Sequence, residues 1–205
     1  MKSKSWLLIL IPVLAIIIYV SIPQNPTESK GNSSDSTAWV RWKKDKDESM
    51  KTGADSPILN KEAFNGLQYF SYNPNFVIKF NLKKAEKIQR IPIQMTDGTT
   101  EEVSYFGDIE SVVAGQSIRL KLYQHDNGEL FLPFKDKTAP QETYGGGRYL
   151  DIPISSLHDS GILINFNYAY NPFCAYNKNY ACPVPPKENH LGIRVEAGEK
   201  LTPGF

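Results

Sequence analysis

The chain has 205 residues, of which 40% are hydrophobic and 22% charged, with two cysteines and a formal net charge of +1. That is room for one globular domain plus a short anchor, and it excludes a disulfide-framework miniprotein. Two of the 23 Lys and Arg precede the first apolar run, which leaves the remainder one unit negative against 22 Asp and Glu; nucleic acid, whose phosphates demand a basic surface, is excluded as a partner on that ground.

Residues 1–23 read as a transmembrane signal-anchor. Trp6 to Ile22 carries no charge and is apolar almost throughout, at the short end of what crosses a hydrocarbon core. Pro12 is tolerated in such a helix, and Trp6 and Tyr19 lie near its ends, where amphipathic rings prefer the interface. Lys2 and Lys4 favour a cytoplasmic N-terminus. The expected placement is a single pass through a bacterial inner membrane, with the C-terminal domain periplasmic or extracellular. A cleaved signal peptide is the alternative, but Tyr19-Val20-Ser21-Ile22 is too bulky for a small-x-small cleavage site, and no lipoprotein cysteine follows. The membrane is thus the one partner the N-terminus implies, and protein partners are not indicated.

Residues 24–36 are rich in Pro, Asn, Ser and Thr and read as a flexible linker. A single mainly-β domain is expected over 37–205, with a helical region at 37–64 and the β domain at 66–200. Trp39, Val40, Trp42 and Met50 interleave with Arg41, Lys43, Lys44, Asp45, Lys46, Asp47 and Glu48, which predicts an amphipathic helix with its charges solvated. Asp55-Ser56-Pro57 interrupts or restarts it.

From Gly66 the period changes to two. Phe76–Leu82 and Ile88–Met95 alternate, Thr96-Asp97-Gly98 is a hairpin signal, and Glu102–Phe106 and Ile109–Ala114 follow. Ser117–Tyr123 alternates, His125–Gly128 is a second hairpin turn, and Glu129–Phe134 returns. Further strands are predicted over Tyr149–Ile154, Gly161–Phe166 and Leu191–Val195. Short strands at such spacing, with no long helical pattern between them, predict an antiparallel β-sandwich or barrel.

The C-terminal third breaks the pattern. Asn165 to Tyr176 and Cys182 to Asn189 concentrate Asn, Tyr and Pro, which are turn and loop residues or need a hydrogen-bond partner when buried. Phe134, Asp136, Thr138, Glu142, Thr143, Tyr144, Gly145, Gly147, Arg148, Tyr149 and Leu150 follow F-x-D-x-T-x-G-x-E-T-Y-G-x-G-R-Y-L, except at Ala139-Pro140. Phe166, Asn167, Ala169, Tyr170, Asn171, Pro172, Cys174, Ala175 and Tyr176 follow D-F-N-x-A-Y-N-P-x-C-A-Y, with Asn165 in place of Asp. Cys182, Pro183, Pro185, Pro186, Glu188, Asn189 and Leu191 follow C-P-x-P-P-x-E-N-R-L, with His190 in place of Arg, and Ala197–Lys200 gives A-G-E-K. On these motifs the chain resembles the uncharacterised bacterial family named domain of unknown function 1684 (DUF1684). The resemblance implies no activity.

Cys174 and Cys182 admit three readings. One is a disulfide, which an exported domain permits and which closure of so short a loop would make worth roughly 2.5 kcal/mol. The others are a pair of buried free thiols and metal ligation with His190, which lacks a fourth ligand. Glu142-Thr143-Tyr144-Gly145-Gly146-Gly147-Arg148 reads either as a glycine-rich anion nest with Arg148 as the clamp or as a tight turn with Arg148 paired to Glu142 or Asp136. No metal set, cofactor fingerprint, Walker sequence or catalytic triad is present; His158-Asp159-Ser160 are consecutive and cannot converge. The Pro183, Pro185 and Pro186 run reads either as holding a cis bond or as a rigid extended segment that steers the chain.

The expected function is a non-enzymatic ligand-binding or envelope-associated module, taking a small polar or anionic ligand. The ligand-binding candidates are Asp136, Glu142, Thr143, Tyr144, Arg148, Tyr149, Asn167, Tyr170, Asn171, Tyr176, Glu188 and Asn189. Two alternatives stand beside it. One is a hydrolase or lyase pairing Glu142 with Glu188 as acid and base, and the other is a structural protein that docks through the aromatic helix from Trp39 to Met50.

Overall fold

The computed structural model describes residues 33–113, 115–159, 161–202 and 204. The predicted signal-anchor at 1–23 and most of the predicted linker lie outside these residues. Among the described residues, no helix is long and apolar enough to cross a membrane.

Helix α1 spans Ser33–Thr52. It therefore begins inside the predicted linker and stops well short of residue 64. Gly53 ends it, its N–H reaching back to Ser49 O at 2.8 Å, and turns follow. Trp39 and Met50 are buried, with Trp42, Lys43, Lys46 and Asp47 half-buried between them. That spacing is one stripe of a 3.6-residue helix. The expected solvated charge run is therefore split, because Lys46 and Asp47 fall on the inner stripe. Asp47 accepts the Leu67 N–H at 3.0 Å. The aromatic stripe is also occupied within the chain: Trp39 Nε1 donates to Asn167 O at 2.8 Å, and Met50 packs with Ile58, Phe64 and Leu67.

Seven strands follow: β1 Val77–Gln94, β2 Thr100–Val113, β3 Gln116–Gln124, β4 Leu130–Phe134, β5 Arg148–Ile152, β6 Leu157–His158 and β7 Gly161–Asn165. They form one antiparallel sheet in the order β5-β4-β3-β2-β1-β7-β6. The sheet is open, so neither a closed barrel nor a two-sheet sandwich describes it. Period-two alternation is the same in all three arrangements, and only the pairing of distant strands separates them. At the β5 edge a loop takes the place of another strand: Tyr149 and Tyr170 exchange both backbone hydrogen bonds, at 2.8 and 3.0 Å.

The two alternating segments predicted over 76–95 are one strand, β1, whose register against β2 shifts between Lys84 and Gln89. Gly107 sits at the facing irregularity, where a Cβ would fall 2.4 Å from Lys83 O; only glycine permits that approach. The predicted strand at Leu191–Val195 is absent. That segment does lie beside residues 135–137, with Leu191 N bonded to Lys135 O and Lys137 N to Ile193 O. Val195, however, bonds to the Asp136 and Arg148 side chains instead of a ladder. The cis peptide among the described residues is Ala139–Pro140, and Pro183, Pro185 and Pro186 are trans.

Alternation along β4 and β5 sorts the core. Leu130, Leu132, Phe134, Leu150 and Ile152 pack with Phe80, Ile109, Leu120 and Leu122, closed over by Phe166, Leu191, Val195 and Ala197. The intervening residues Phe131 and Tyr149, with Tyr123, pack in a second cluster against Cys174 and Cys182. Each such large apolar side chain contributes about 1.5–3 kcal/mol when fully buried. The irregular C-terminal third thus contributes to both clusters.

Candidate functional site

Arg148 opens β5 on the core side and is 1% exposed. Its guanidinium donates to Asp136 Oδ1 at 3.1 Å, Val195 O at 2.9 Å, Glu199 O at 3.2 Å and Ala197 O. Asp136 is equally enclosed, and accepts from Val195 N at 2.7 Å and from the Thr138 N–H and hydroxyl at 3.1 and 2.9 Å. Burial pushes the Arg148 pKa down, opposed by the Asp136 charge. Thr143 is buried beside them, its hydroxyl 2.8 Å from that of Thr138. Arg148 and Asp136 clamp the 195–199 segment onto the sheet, and Thr138 braces Asp136. Gly147 takes φ +96°, and a Cβ there would meet Phe134 O at 2.6 Å, so the glycine run is a tight turn against its neighbours.

Three asparagines act as backbone surrogates. Asn167 takes the Asn73 N–H at 2.8 Å and gives an amide proton to Asn73 O at 2.9 Å. Asn189 does the same for Lys121, at 2.7 and 2.9 Å, and also donates to Pro133 O at 2.7 Å. Asn171 donates to Glu199 Oε1 and to Lys200 O, both at 2.9 Å. A carboxamide offers an acceptor and donors side by side, which lets it complete a chain segment that has no strand neighbour. Tyr176 packs with the Met50 cluster.

The two carboxylates considered as an acid–base pair have separate partners. Glu142 binds Arg194 and Glu188 binds Lys121, the latter at 2.6 Å. Lys121 holds the Glu188 carboxyl below the usual range. Neither lines the hollows described below.

A cleft of about 360 Å³ opens where α1 meets β5 and β7, lined by Trp42, Asp151, Leu163, Asn165, Tyr168, Tyr170 and neighbours. Tyr168 meets Trp42 edge to face at 5.1 Å between ring centroids. The Tyr170 hydroxyl donates to Asp151 Oδ2 at 2.6 Å, and His125 Nε2 lies 3.1 Å from Asp151 Oδ1. That contact raises the His125 pKa. Burial, then the Asp151 charge, raises that of Tyr170. The Lys46 ammonium stands 4.0 Å from the centre of the Tyr170 ring. The result is an aromatic and aliphatic hollow with one carboxylate at its polar end.

Behind Tyr170, Lys46 Nζ lies 3.5 Å from Glu199 Oε2, with the Glu199 side chain wholly buried. Burial raises the Glu199 carboxyl to about 7 against the pull of Lys46, and burial lowers the Lys46 pKa.

Cys174 and Cys182 are buried thiols rather than a disulfide. They adjoin each other, the Cys174 N–H donating to Cys182 Sγ at 3.2 Å. Tyr144 reaches them, packing against the cluster to which both belong. Among the described residues no group of three or more His, Cys, Asp or Glu could hold a metal ion.

The glycine turn and the cysteine-bearing loop therefore meet, through Tyr149 with Tyr170 and Tyr144 with Cys174. The twelve candidates do not form one surface, since Arg148, Asp136 and Thr143 face the clamp and Asn167 and Asn189 serve backbone. Trp42, Lys46, Asp151 and Glu199 were missed. Asp151 was visible as the one acidic residue in the apolar strand Arg148–Ile152, and Glu199 as the acid of the A-G-E-K motif.

The family model for "Protein of unknown function (DUF1684)" matches residues 62–200. The chain belongs to that family. No curated protein matches it. The solution NMR structure of an uncharacterised protein of Haloarcula marismortui is similar, with 30% sequence identity and a TM-score of 0.66, and the match covers 85% of this chain and 100% of that one.

Proposed function

We propose that this member of a family of unknown function is a non-enzymatic binding module, exported and held at the inner membrane by its N-terminal apolar run. Its ligand site is the cleft beside Trp42. The carrying observation is the pairing of Trp42, Tyr168 and Leu163 with the single accessible carboxylate of Asp151 around a hollow of about 360 Å³, within the size range of small-molecule sites. The ligand class is a small amphipathic molecule whose apolar part lies on the rings and whose hydroxyl or amine donates to Asp151. An anion is disfavoured, because Arg148 spends its donors inside the protein and the cleft presents a carboxylate. The envelope placement rests on Lys2, Lys4 and the uncharged run from Trp6 to Ile22.

The test is a thermal-shift screen of small hydroxylated and amine-bearing aromatic or aliphatic compounds on the full chain. Hits are repeated on Leu163→Arg, which puts a long cation into the cleft from a position 42% exposed. Hits should stabilise the parent and not L163R. A screen without hits, or hits that L163R retains, would remove the cleft as the site. Membrane fractionation tests the anchor independently: a shortened, freely soluble product would sink that half.

A further inference from the structure

A second hollow, of about 330 Å³ and lined by Thr96, Tyr144, Cys174, Lys178 and Tyr180 among others, lies away from the cleft and plays no part in the proposed ligand site. Cys174 is on its wall and Cys182 is not. Cys182 sits directly behind, close enough for its sulfur to accept the Cys174 N–H at 3.2 Å. Thr96, at the β1–β2 turn, holds the pair from the side. Its hydroxyl accepts the Cys182 N–H at 3.0 Å, and its N–H bonds to Cys182 O at 2.9 Å. Tyr144 and Thr96 line the hollow beside Cys174, and Cys182 adjoins it from behind.

We propose that Cys174 and Cys182 form a thiol–disulfide exchange centre that reacts with low-molecular-weight disulfides, with Cys174 as the attacking thiol and Cys182 as the resolving one. The assignment of roles follows from placement, since Cys174 borders the hollow and Cys182 sits behind it. The Cys182 neighbour, then Tyr144 and Thr96, bring the Cys174 pKa down to about 7 against its burial, while the Cys174 neighbour and burial push that of Cys182 up. An attacking thiol works best when its pKa lies near ambient pH, and a structural buried thiol has no such environment.

The Cys174 thiolate attacks one sulfur of R–S–S–R. The bond between the two external sulfurs breaks, and the departing RS⁻ takes the proton that Cys174 released. Cys182 then loses its proton and attacks the Cys174 sulfur of the mixed disulfide, and the second RS⁻ leaves with that proton. Both protein thiols are oxidised to one intramolecular disulfide, and one external disulfide is reduced to two thiols. Tyr144 and Thr96 are positioning residues, acting through the Cys174 sulfur.

The reduced full chain is incubated with oxidised glutathione near neutral pH, quenched in acid and read by mass spectrometry, both folded and in denaturant. The folded parent should form the internal disulfide without accumulating an adduct. Cys182→Ser should trap one glutathione on Cys174, and Cys174→Ser should react at least tenfold more slowly. Tyr144→Phe should move the midpoint of the pH–rate profile upward, a change that a packing role would not produce. Thiols that react only in denaturant would overturn the proposal, as inert buried cysteines. A parent disulfide that reduced glutathione cannot open in the folded protein would also overturn it, as a fixed staple. The parent measurements decide the matter even if a variant fails to fold.

Discussion

Lys46 Nζ lies 3.5 Å from Glu199 Oε2, and this contact ties the middle of helix α1 to the segment that Arg148 clamps onto the sheet. The two residues are 153 positions apart in sequence, so the pair closes the domain end to end. Asn171 steadies the same carboxylate from the loop that follows β7, at 2.9 Å.

Removing Lys46 should strand Glu199. Breaking one side of a buried pair costs about 3–5 kcal/mol, but Glu199 can take up a proton instead of staying charged, which places Lys46→Met near the low end, at about 3 kcal/mol. The double variant Lys46→Met, Glu199→Gln should recover part of that loss. Urea unfolding of the four proteins in a double-mutant cycle checks it, and additivity of the two single effects would show that the contact carries no coupling.

Glu199 also gives the domain a signed pH dependence. Its folded pKa is raised from 4.5 to about 7 by burial, so the folded state binds that proton more tightly than the unfolded state does. The contribution is greatest below the ordinary carboxylate pKa and is lost as pH rises through about 7. Relative to Glu199→Gln, the parent should lose stability between about pH 4.5 and 7. A flat difference in melting temperature across that window would contradict the assignment.

Arg148 should behave as architecture. Replacing it with Met leaves Asp136 buried without its cation and withdraws donors from the carbonyls of Val195, Ala197 and Glu199. The expected loss is at least about 3 kcal/mol, with early protease cleavage in residues 195–202. Asp136→Asn should follow the same direction. An unchanged melting temperature for Arg148→Met would instead return Arg148 to the set of ligand contacts.

The His125 ring should titrate high. Its pKa is raised chiefly by the hydrogen bond to Asp151. The stabilisation is therefore present below the unfolded-state pKa and is lost as pH rises through the folded one. Both side chains are two-fifths exposed, so the effect on stability is slight and the ring itself is the better reporter. In Asp151→Asn, NMR titration should show the His125 pKa falling towards 6.5; a value unmoved by the substitution would place the cause elsewhere.

The strands were legible because alternation is a local signal: the hairpin turns at Asp97-Gly98 and Asn127-Gly128 fall where they were expected. The closure of the sheet was not, because it depends on which distant edges meet, and at β5 that edge is met by Tyr170 in a loop. The glycine turn and the cysteine loop each stand out in the sequence by their polar and aromatic residues, and Tyr149 pairing with Tyr170 is what joins them. The direction of each side chain was not legible. Arg148 and Tyr149 are neighbours in one strand and therefore face opposite sides. Nothing in Gly145-Gly146-Gly147-Arg148-Tyr149 says which of the two is interior. Lys46 was hidden for a similar reason: within Lys43-Lys44-Asp45-Lys46-Asp47 only the helical phase set by Trp39 and Met50 marks it as inward-facing.

The length of β1 has a further consequence. β7 accompanies it only from Val77 to Asn81, and the 182–184 segment only at its far end, where the Val184 N–H bonds to Gln94 O, so the stretch between has no strand neighbour on that side among the described pairings. A bare edge of this kind invites a second molecule to add its own strand. Here the arm carries Lys83, Lys84, Lys87 and Arg90 against Glu86, all exposed, and Pro92 has no N–H to offer. Two copies meeting antiparallel would set cation against cation, so the arm repels its own kind and resists fibre growth by edge addition.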